Sequence, residues 1–178
     1  MLGRLHLTPA LDAPELLAPA VVDALRGWRR AEEVQVAAID PNLADTAAFC
    51  TAYDIDLEAS ANCVIVVGKR SDVVRHAACV VLATTRADVN GLVRRHLDVR
   101  KASFGAREET VEVTGMEYGG ITPIGLPADW PALVDAAVLE VPLVVVGSGL
   151  RRSKLVLPGA ALAELPGAQV LAGLGQPQ

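Results

Sequence analysis

The chain has 178 residues, of which 52% are hydrophobic and 21% charged, and its formal net charge at pH 7 is −5. This length and composition allow a sizeable core, and we expect residues 1–178 to form a single domain. The negative charge argues against strong nucleic-acid binding through charge alone, and 3% aromatic residues are too few for a base-stacking platform.

The first predicted elements are a helix over residues 14–30, where apolar residues recur at helical spacing, and a strand over 34–39. Asp45 is placed to cap a helix that runs through Tyr53. Apolar runs end at Pro, Gly or charge well before the roughly 18 residues of a membrane span. The start of the chain lacks the layout of a secretory signal, so we expect no membrane partner and a cytoplasmic location.

The second half of the chain mixes hairpins and helices. Runs 63–67 and 76–83 are β-branched and are separated by the polar segment GKRSD, which predicts a β-hairpin. The later predicted elements are a short helix capped by Asp88, a strand at 102–104, a helix from 106 through 113, strands at 132–135, 143–146, 154–157 and 169–171, and a helix at 159–165. Without regular strand–helix alternation, this order predicts an α/β mixed (α+β) fold.

Three cysteines, Cys50, Cys63 and Cys79, have no C-x-x-C spacing and lie in apolar surroundings. This pattern predicts buried, reduced thiols, with Cys63 in the core. The three histidines have no partner at metal-ligand spacing, so neither a metal nor a cofactor is expected.

The charge is divided unevenly along the chain. Residues 1–60 contain 4 Lys and Arg against 10 Asp and Glu, whereas residues 61–178 contain 12 against 11. The basic residues of the second part are clustered, as in the segment RRSK at 151–154. Such clusters either contact phosphates or are the solvated ends of strands and helices.

The segment TGMEYGGITPIGLP, residues 114–127, has four glycines and two prolines and is called the glycine segment below. Gly119 and Gly120 allow backbone amides to approach a ligand, and Pro123 stiffens the segment. It matches neither G-x-x-x-x-G-K-[ST] nor G-x-G-x-x-G. From these residues alone, a tight connecting loop and a hydrogen-bond-donating loop are both open.

Five segments occur in an order that resembles the YbaK-like aminoacyl-tRNA editing domains. That family includes free-standing deacylases and the insertion domain of bacterial prolyl-tRNA synthetases. The segments are the strand NCVIVVG, the helix capped by Asp88, the glycine segment, PALVD ending at Asp135, and VVVGSGLRRSKLVLPGAALAEL. The resemblance covers residues 47–171 and is most specific in the G-G-x-[ST]-P-x-G core. Residues 1–46 fit the family least well.

The resemblance implies a curved, mainly antiparallel mixed sheet flanked by helices. It also implies a pocket for the 3′ end of a mischarged tRNA, whose aminoacyl ester is hydrolysed there. The glycine segment borders the pocket in this family, so Gly119, Gly120 and Pro123 are expected at it. Backbone amides can stabilise the developing oxyanion, which suits a chain without a recognisable Ser-His-Asp arrangement.

One position departs from the family pattern. The family has a lysine at the start of the pocket-facing strand, in a K-[ST]-L-like pattern, and Asn62 aligns with it. Asn62 can donate a hydrogen bond but supplies no positive charge. Lys69 would face the other side of a straight strand and lie about 23 Å away, at about 3.3 Å per residue. Either the chemistry runs differently, or another cation fills in, or activity is lost.

The candidate site residues fall into three groups. The expected catalytic positions are Asn62, Gly119 and Gly120. The expected substrate contacts are Glu117, Tyr118, Thr122, Pro123, Gly125 and Asp135. The candidate tRNA contacts are Arg151, Arg152 and Lys154.

Structural roles are the alternative for several of these residues. Asn62 could instead form a strand-edge turn, Asp135 a cap and Thr122 a loop-stabilising hydrogen bond. The three basic residues could instead lie on a solvated hairpin.

Two function classes remain open at this stage. The first is a trans-editing deacylase whose partner is mischarged tRNA. The second is a catalytically silent binding module for an aminoacyl or nucleotide-like ligand or a partner protein. A weaker third class is an esterase for small aminoacyl esters, and a homodimer or an association with a synthetase is compatible with the first two.

Overall fold

The computed structural model describes residues 2–178 as a mixed α+β domain, which confirms the predicted fold class. Its elements in chain order are β1 (Thr8–Pro9), α1 (Pro19–Gly27), β2 (Gln35–Ala38), α2 (Thr46–Tyr53), β3 (Ala61–Arg70), β4 (Val73–Leu82), β5 (Thr85–Ala87), α3 (Arg94–His96), β6 (Lys101–Phe104), α4 (Arg107–Thr114), β7 (Ala132–Asp135), α5 (Ala136–Leu139), β8 (Val144–Gly147), β9 (Ser153–Leu157), β10 (Ala168–Leu171) and β11 (Gly175–Pro177).

The strands form two main sheets and a small ribbon. A five-stranded sheet has the order β10-β7-β4-β3-β6, in which β7 runs parallel to β4 and β10 and the other pairs are antiparallel. A four-stranded antiparallel sheet has the order β1-β2-β9-β8, and β5 pairs with β11. The predicted strands therefore belong to two sheets where a single one was expected.

One hydrophobic core joins the two sheets. Val80 and Val134 of the five-stranded sheet share a buried cluster with Val144 and Leu155 of the four-stranded sheet and with Leu25 of α1. Burying one such side chain contributes about 1.5–3 kcal/mol. This shared core fixes the position of β8 and β9 relative to the start of β3.

The first helix is shorter than the predicted span of 14–30. Pro19 occupies its first turn, and Ala18 before it is extended, because a residue preceding proline is disfavoured in helical conformation. The Ala18 amide donates instead to the Ser148 carbonyl, at 3.2 Å. Within residues 2–178, no helix combines the length and apolarity that a membrane crossing requires.

Two local predictions are confirmed. The Asp45 carboxylate accepts hydrogen bonds from the amides of Ala47 and Ala48, at 3.1 and 3.3 Å, and so caps α2. The hairpin of β3 and β4 also forms, and its strands extend further than predicted, leaving Ser71 in the turn with φ of 53°.

Candidate active site

A cavity of about 340 Å³, called the first cavity, lies where the start of β3 meets α2, the glycine segment and strands β8 and β9. Polar groups reach its wall from Thr46, Asn62, Tyr118, Gly119 and Lys154. These residues come from four separate places in the chain, since Tyr118 and Gly119 are adjacent. The two-sheet arrangement is therefore what brings them together.

The strand register relates two of these residues, Asn62 and Lys154, to a third lining residue, Gly147. Ser60 forms an isolated parallel bridge with Val145, and Asn62 and Gly147 each lie two residues further along the chain. Gly147 in turn is opposite Lys154 in the antiparallel β8–β9 pair. A side chain at Gly147 would place its Cβ only 2.4 Å from the Ile121 carbonyl oxygen, so glycine is required at this wall.

Asn62 is half-buried and faces the first cavity. Its side-chain oxygen accepts a hydrogen bond from the Thr46 hydroxyl, at 2.6 Å. Because the oxygen is engaged, the amide NH₂ is the group that Asn62 offers to a ligand. The structure thus places Asn62 on the wall of the first cavity.

The two adjacent glycines of the glycine segment have different surroundings. The Gly120 amide already donates to the Glu117 carbonyl, at 2.9 Å, and its own carbonyl accepts from the Gly149 amide, at 2.7 Å. Gly119 lines the cavity with φ of 91°, and no residue within 2–178 accepts from its amide. The amide available to a substrate is therefore that of Gly119.

Arg151 braces the glycine segment. Its guanidinium donates to the carbonyls of Tyr118 and Pro41, both at 3.0 Å, and its backbone amide donates to the Glu117 carboxylate at 3.3 Å. Arg152 donates to the Glu15 carbonyl at 2.6 Å. Both guanidinium groups thus have partners within the protein.

Two exposed aromatic rings stand at the mouth of the first cavity. Phe104 is 64% exposed and Tyr118 is 52% exposed, and both belong to its lining. The guanidinium carbon of Arg107 lies 4.5 Å from the centre of the Tyr118 ring. Tyr118 is one of the substrate contacts expected from the sequence, whereas Phe104 is not, although its exposure is unusual for an aromatic residue in a strand.

Five predicted substrate contacts are not among the residues that line the first cavity: Glu117, Thr122, Pro123, Gly125 and Asp135. Pro123 and Gly125 line a second cavity of about 350 Å³. Thr122 is completely buried, and its hydroxyl has no hydrogen-bond partner among residues 2–178. The buried Asp135 carboxylate accepts from the Gly175 amide, at 3.0 Å, and its side chain makes no capping hydrogen bond at the start of α5.

Lys154 differs from its basic neighbours because only 7% of it is exposed. Its ammonium donates to the Ala44 carbonyl at 3.1 Å and lies 5.3 Å from the centre of the Phe49 ring. Burial lowers the pKa of Lys154. The segment RRSK resembles a surface cluster in sequence, but Lys154 points into the first cavity.

The cysteine thiols are free, and Cys63 is partly exposed at the cavity wall. Burial raises the pKa of Cys63 and raises that of Cys79 to about 12. Since the thiolate is the reactive form, neither residue is suited to nucleophilic attack at neutral pH. In residues 2–178, no three His, Cys, Asp or Glu side chains are grouped as a metal site requires.

Comparison with known proteins decides the family. A family model described as aminoacyl-tRNA editing domain matches residues 40–165, a range that includes Asn62, the glycine segment and Lys154. The chain belongs to this family. Editing of aminoacyl-tRNA is accordingly its activity at the level of the family.

Solved structures share the editing-domain fold at low sequence identity. A proposed trans-editing enzyme for prolyl tRNA synthetase is 23% identical, with a TM-score of 0.73 over 90% of this chain and 99% of that one. The hypothetical protein APE2540 is 20% identical, with a TM-score of 0.76 over 88% and 99%. A search of curated proteins gave no match. At these identities the structural likeness establishes the fold alone.

Proposed function

We propose that this editing domain hydrolyses the ester between a wrong amino acid and the 3′ ribose of a tRNA, and that it acts in trans. The observation that carries the proposal is the convergence of three donors on the first cavity. They are the Gly119 amide, the Asn62 amide and the Lys154 ammonium. Such donors stabilise negative charge on an ester carbonyl oxygen, and an activated ester needs little further help from the protein.

The mouth of the cavity suits the end of a single strand. Phe104 and Tyr118 offer exposed ring faces on which a terminal base can stack, and stacking of this kind is worth about 1–3 kcal/mol per base. Arg107 and Arg151 lie next to Tyr118 and can attract the adjoining phosphates. With few cations near the mouth, we expect moderate tRNA affinity and short contact with the acceptor end.

The test is single-turnover hydrolysis of a panel of mischarged tRNAs, including the proline-specific tRNA charged with Ala or Cys. Wild type should hydrolyse at least one member, and Asn62→Ala should reduce the rate about 10-fold because one donor is lost. Asn90→Ala is the matched control, since Asn90 is exposed and outside both cavities. Equal rates for wild type and Asn62→Ala would contradict the role given to Asn62.

A catalytically silent binding module is the second candidate, and the neutral Asn62 at the family's lysine position favours it. It predicts that a tRNA or aminoacyl ligand binds without turnover. The salt dependence of tRNA binding adds a distinction, because phosphate contacts make affinity fall steeply with salt. Salt-independent turnover of small aminoacyl esters would point to an esterase. A cytoplasmic location and a homodimer or synthetase complex stay predictions.

A further inference from the structure

The Lys154 ammonium is a buried charge without a counterion. Among residues 2–178, no carboxylate oxygen lies within 4.0 Å of its nitrogen, and the Ala44 carbonyl is its one hydrogen-bond acceptor. An ammonium has three donors, so two remain unused by the protein. Burying an unpaired charge costs several kcal/mol, which indicates that a ligand completes this site.

The charged groups nearest to Lys154 do not neutralise it. Asp45 raises its pKa and Arg151 lowers it, while Cys50, on the adjoining helix, also raises it. The Asp45 carboxylate is engaged with two amides at the start of α2. Burial outweighs these effects, so the net change in the pKa of Lys154 is downward.

The position of Lys154 relates directly to that of Asn62. Gly147 is opposite Lys154 in the β8–β9 pair, and Asn62 and Gly147 each lie two residues beyond the bridge that joins Ser60 to Val145. Gly147 has no side chain that could separate Asn62 from Lys154. Both side chains reach the same cavity.

We infer that Lys154 supplies, from the opposite sheet, the positive charge that Asn62 lacks, and that its ammonium binds the ester carbonyl oxygen of the substrate. This inference rests on the proposed deacylase function. It makes Lys154 a catalytic residue in place of one of the tRNA phosphate contacts predicted from the sequence. In this arrangement the cation of the site lies on the four-stranded sheet, whereas Asn62, the family's lysine position, lies on the five-stranded sheet.

The step balances with water as the only co-reactant. The water oxygen bonds to the ester carbon, and the carbonyl electron pair moves to the oxygen held by Lys154 and the Gly119 amide. When this oxyanion collapses, the bond to the ribose oxygen breaks. The ribose oxygen takes one proton of the water, the other proton is released, and the amino acid leaves as a carboxylate. Lys154 keeps its proton throughout.

The experiment compares Lys154→Met, Lys69→Met and the double variant Asn62→Lys/Lys154→Met in single-turnover hydrolysis. Lys69 is exposed on β3 and outside the cavity, so its variant is the matched control. We expect Lys154→Met to lose about 100-fold in rate, as removal of one oxyanion donor does, and Lys69→Met to lose less than about threefold. The double variant should recover at least about 10-fold, because it returns a cation to the same cavity.

The pH profile of the hydrolysis rate distinguishes a catalytic role of Lys154 from a merely structural one. Wild-type activity should fall on the alkaline side as Lys154 loses its proton, at a pH below the roughly 10.4 of an ordinary lysine. The residual activity of Lys154→Met should lack that decline. Near-ultraviolet circular dichroism confirms that each variant is folded.

Binding of a stable amide analogue, 3′-alanylamino-3′-deoxyadenosine, separates the two ways of failing. Hydrolysis by wild type with Lys154→Met within about threefold overturns the inference about Lys154 and leaves the deacylase proposal standing. A wild type that neither hydrolyses the panel nor binds the analogue overturns both. Binding by wild type that Lys154→Met weakens at least about 10-fold supports Lys154 as a ligand-binding cation even if turnover is slow.

Discussion

The two cavities have nearly the same volume, about 340 and 350 Å³, and both are lined by the glycine segment, yet their chemistry differs. The first receives Gly119 and the polar side chains of Asn62 and Lys154. The second receives Pro123 and Gly125 and is bounded by the two tryptophans, Trp28 and Trp130. Volume alone thus does not mark a site here.

The difference arises from how the glycine segment is held. At Gly119 the backbone is turned towards solvent and its amide is unused, whereas from Gly120 onwards the chain is packed against its neighbours. Gly125 illustrates this, because a Cβ there would lie 2.5 Å from the Ala20 carbonyl oxygen. One end of the segment therefore serves chemistry and the other serves packing.

The largest expected effect is on the second cavity. Trp28 is buried, and its indole N–H donates to the Glu164 carbonyl at 3.1 Å. Trp28→Ala should lower the free energy of unfolding by about 3–5 kcal/mol, measured by urea denaturation, because it removes a large core side chain. The hydrolysis rate per folded molecule should be unchanged. A rate loss larger than the folded fraction explains would show that the two cavities are coupled.

Gly120 tests the boundary between the two regions. A Cβ at Gly120 would lie 2.7 Å from the backbone of Leu150, whereas at Gly27 it would meet nothing within 4 Å. Gly120→Ala should therefore destabilise by about 1–3 kcal/mol, while Gly27→Ala should be neutral or slightly stabilising. Urea unfolding of both variants is the measurement. Since the Gly120 amide already donates to the Glu117 carbonyl, a loss of activity in Gly120→Val would result from the clash with Leu150 and not from a lost substrate contact.

Lys154 should lower stability at neutral pH. Because burial lowers its pKa in the folded state, the unfolded chain binds more protons between that pKa and the unfolded value of about 10.4. The free energy of unfolding of the wild type therefore rises with pH through that window. Below the window, the full cost of burying the charged ammonium applies. Lys154→Met should be about 1 kcal/mol more stable than wild type at pH 7.

The pH series of unfolding free energies checks this sign. The advantage of Lys154→Met should shrink as pH rises towards about 10.4, measured at constant ionic strength with Lys69→Met as the reference. An advantage that grows with pH would mean that the ammonium is stabilised in the folded protein by a partner.

The smallest effect concerns two buried threonines. Thr122 has an unpaired hydroxyl, whereas the Thr114 hydroxyl donates to the Thr110 carbonyl at 2.7 Å and accepts from the Met116 amide at 3.2 Å. Thr122→Val should stabilise by about 1 kcal/mol and Thr114→Val should destabilise by about as much. Thermal unfolding measures both. A destabilised Thr122→Val would show that a water molecule or ligand pairs this hydroxyl.

Much of the fold could be predicted from local sequence. The Asp45 cap, the β3–β4 hairpin and β7 follow from side-chain chemistry and spacing that act over a few residues. The first helix was predicted too long because the apolar pattern continues on both sides of Pro19, whereas the helix itself begins only at Pro19. The division of the strands into two sheets depends on which strands pair with each other. The alternation of apolar and polar residues within one strand does not specify its partner strand.

The site divides in the same way. The sequence by itself determined the family pattern, the flexible backbone at Gly119 and the neutral Asn62 in place of a lysine. The tertiary structure decided that the Gly120 amide is used internally, that Asp135 binds the Gly175 amide and that Lys154 is buried beside Asn62. The physical reason is that Lys154 and Asn62 are 92 positions apart in the sequence, and only pairing of β8 with β9 beside β3 brings them to one cavity.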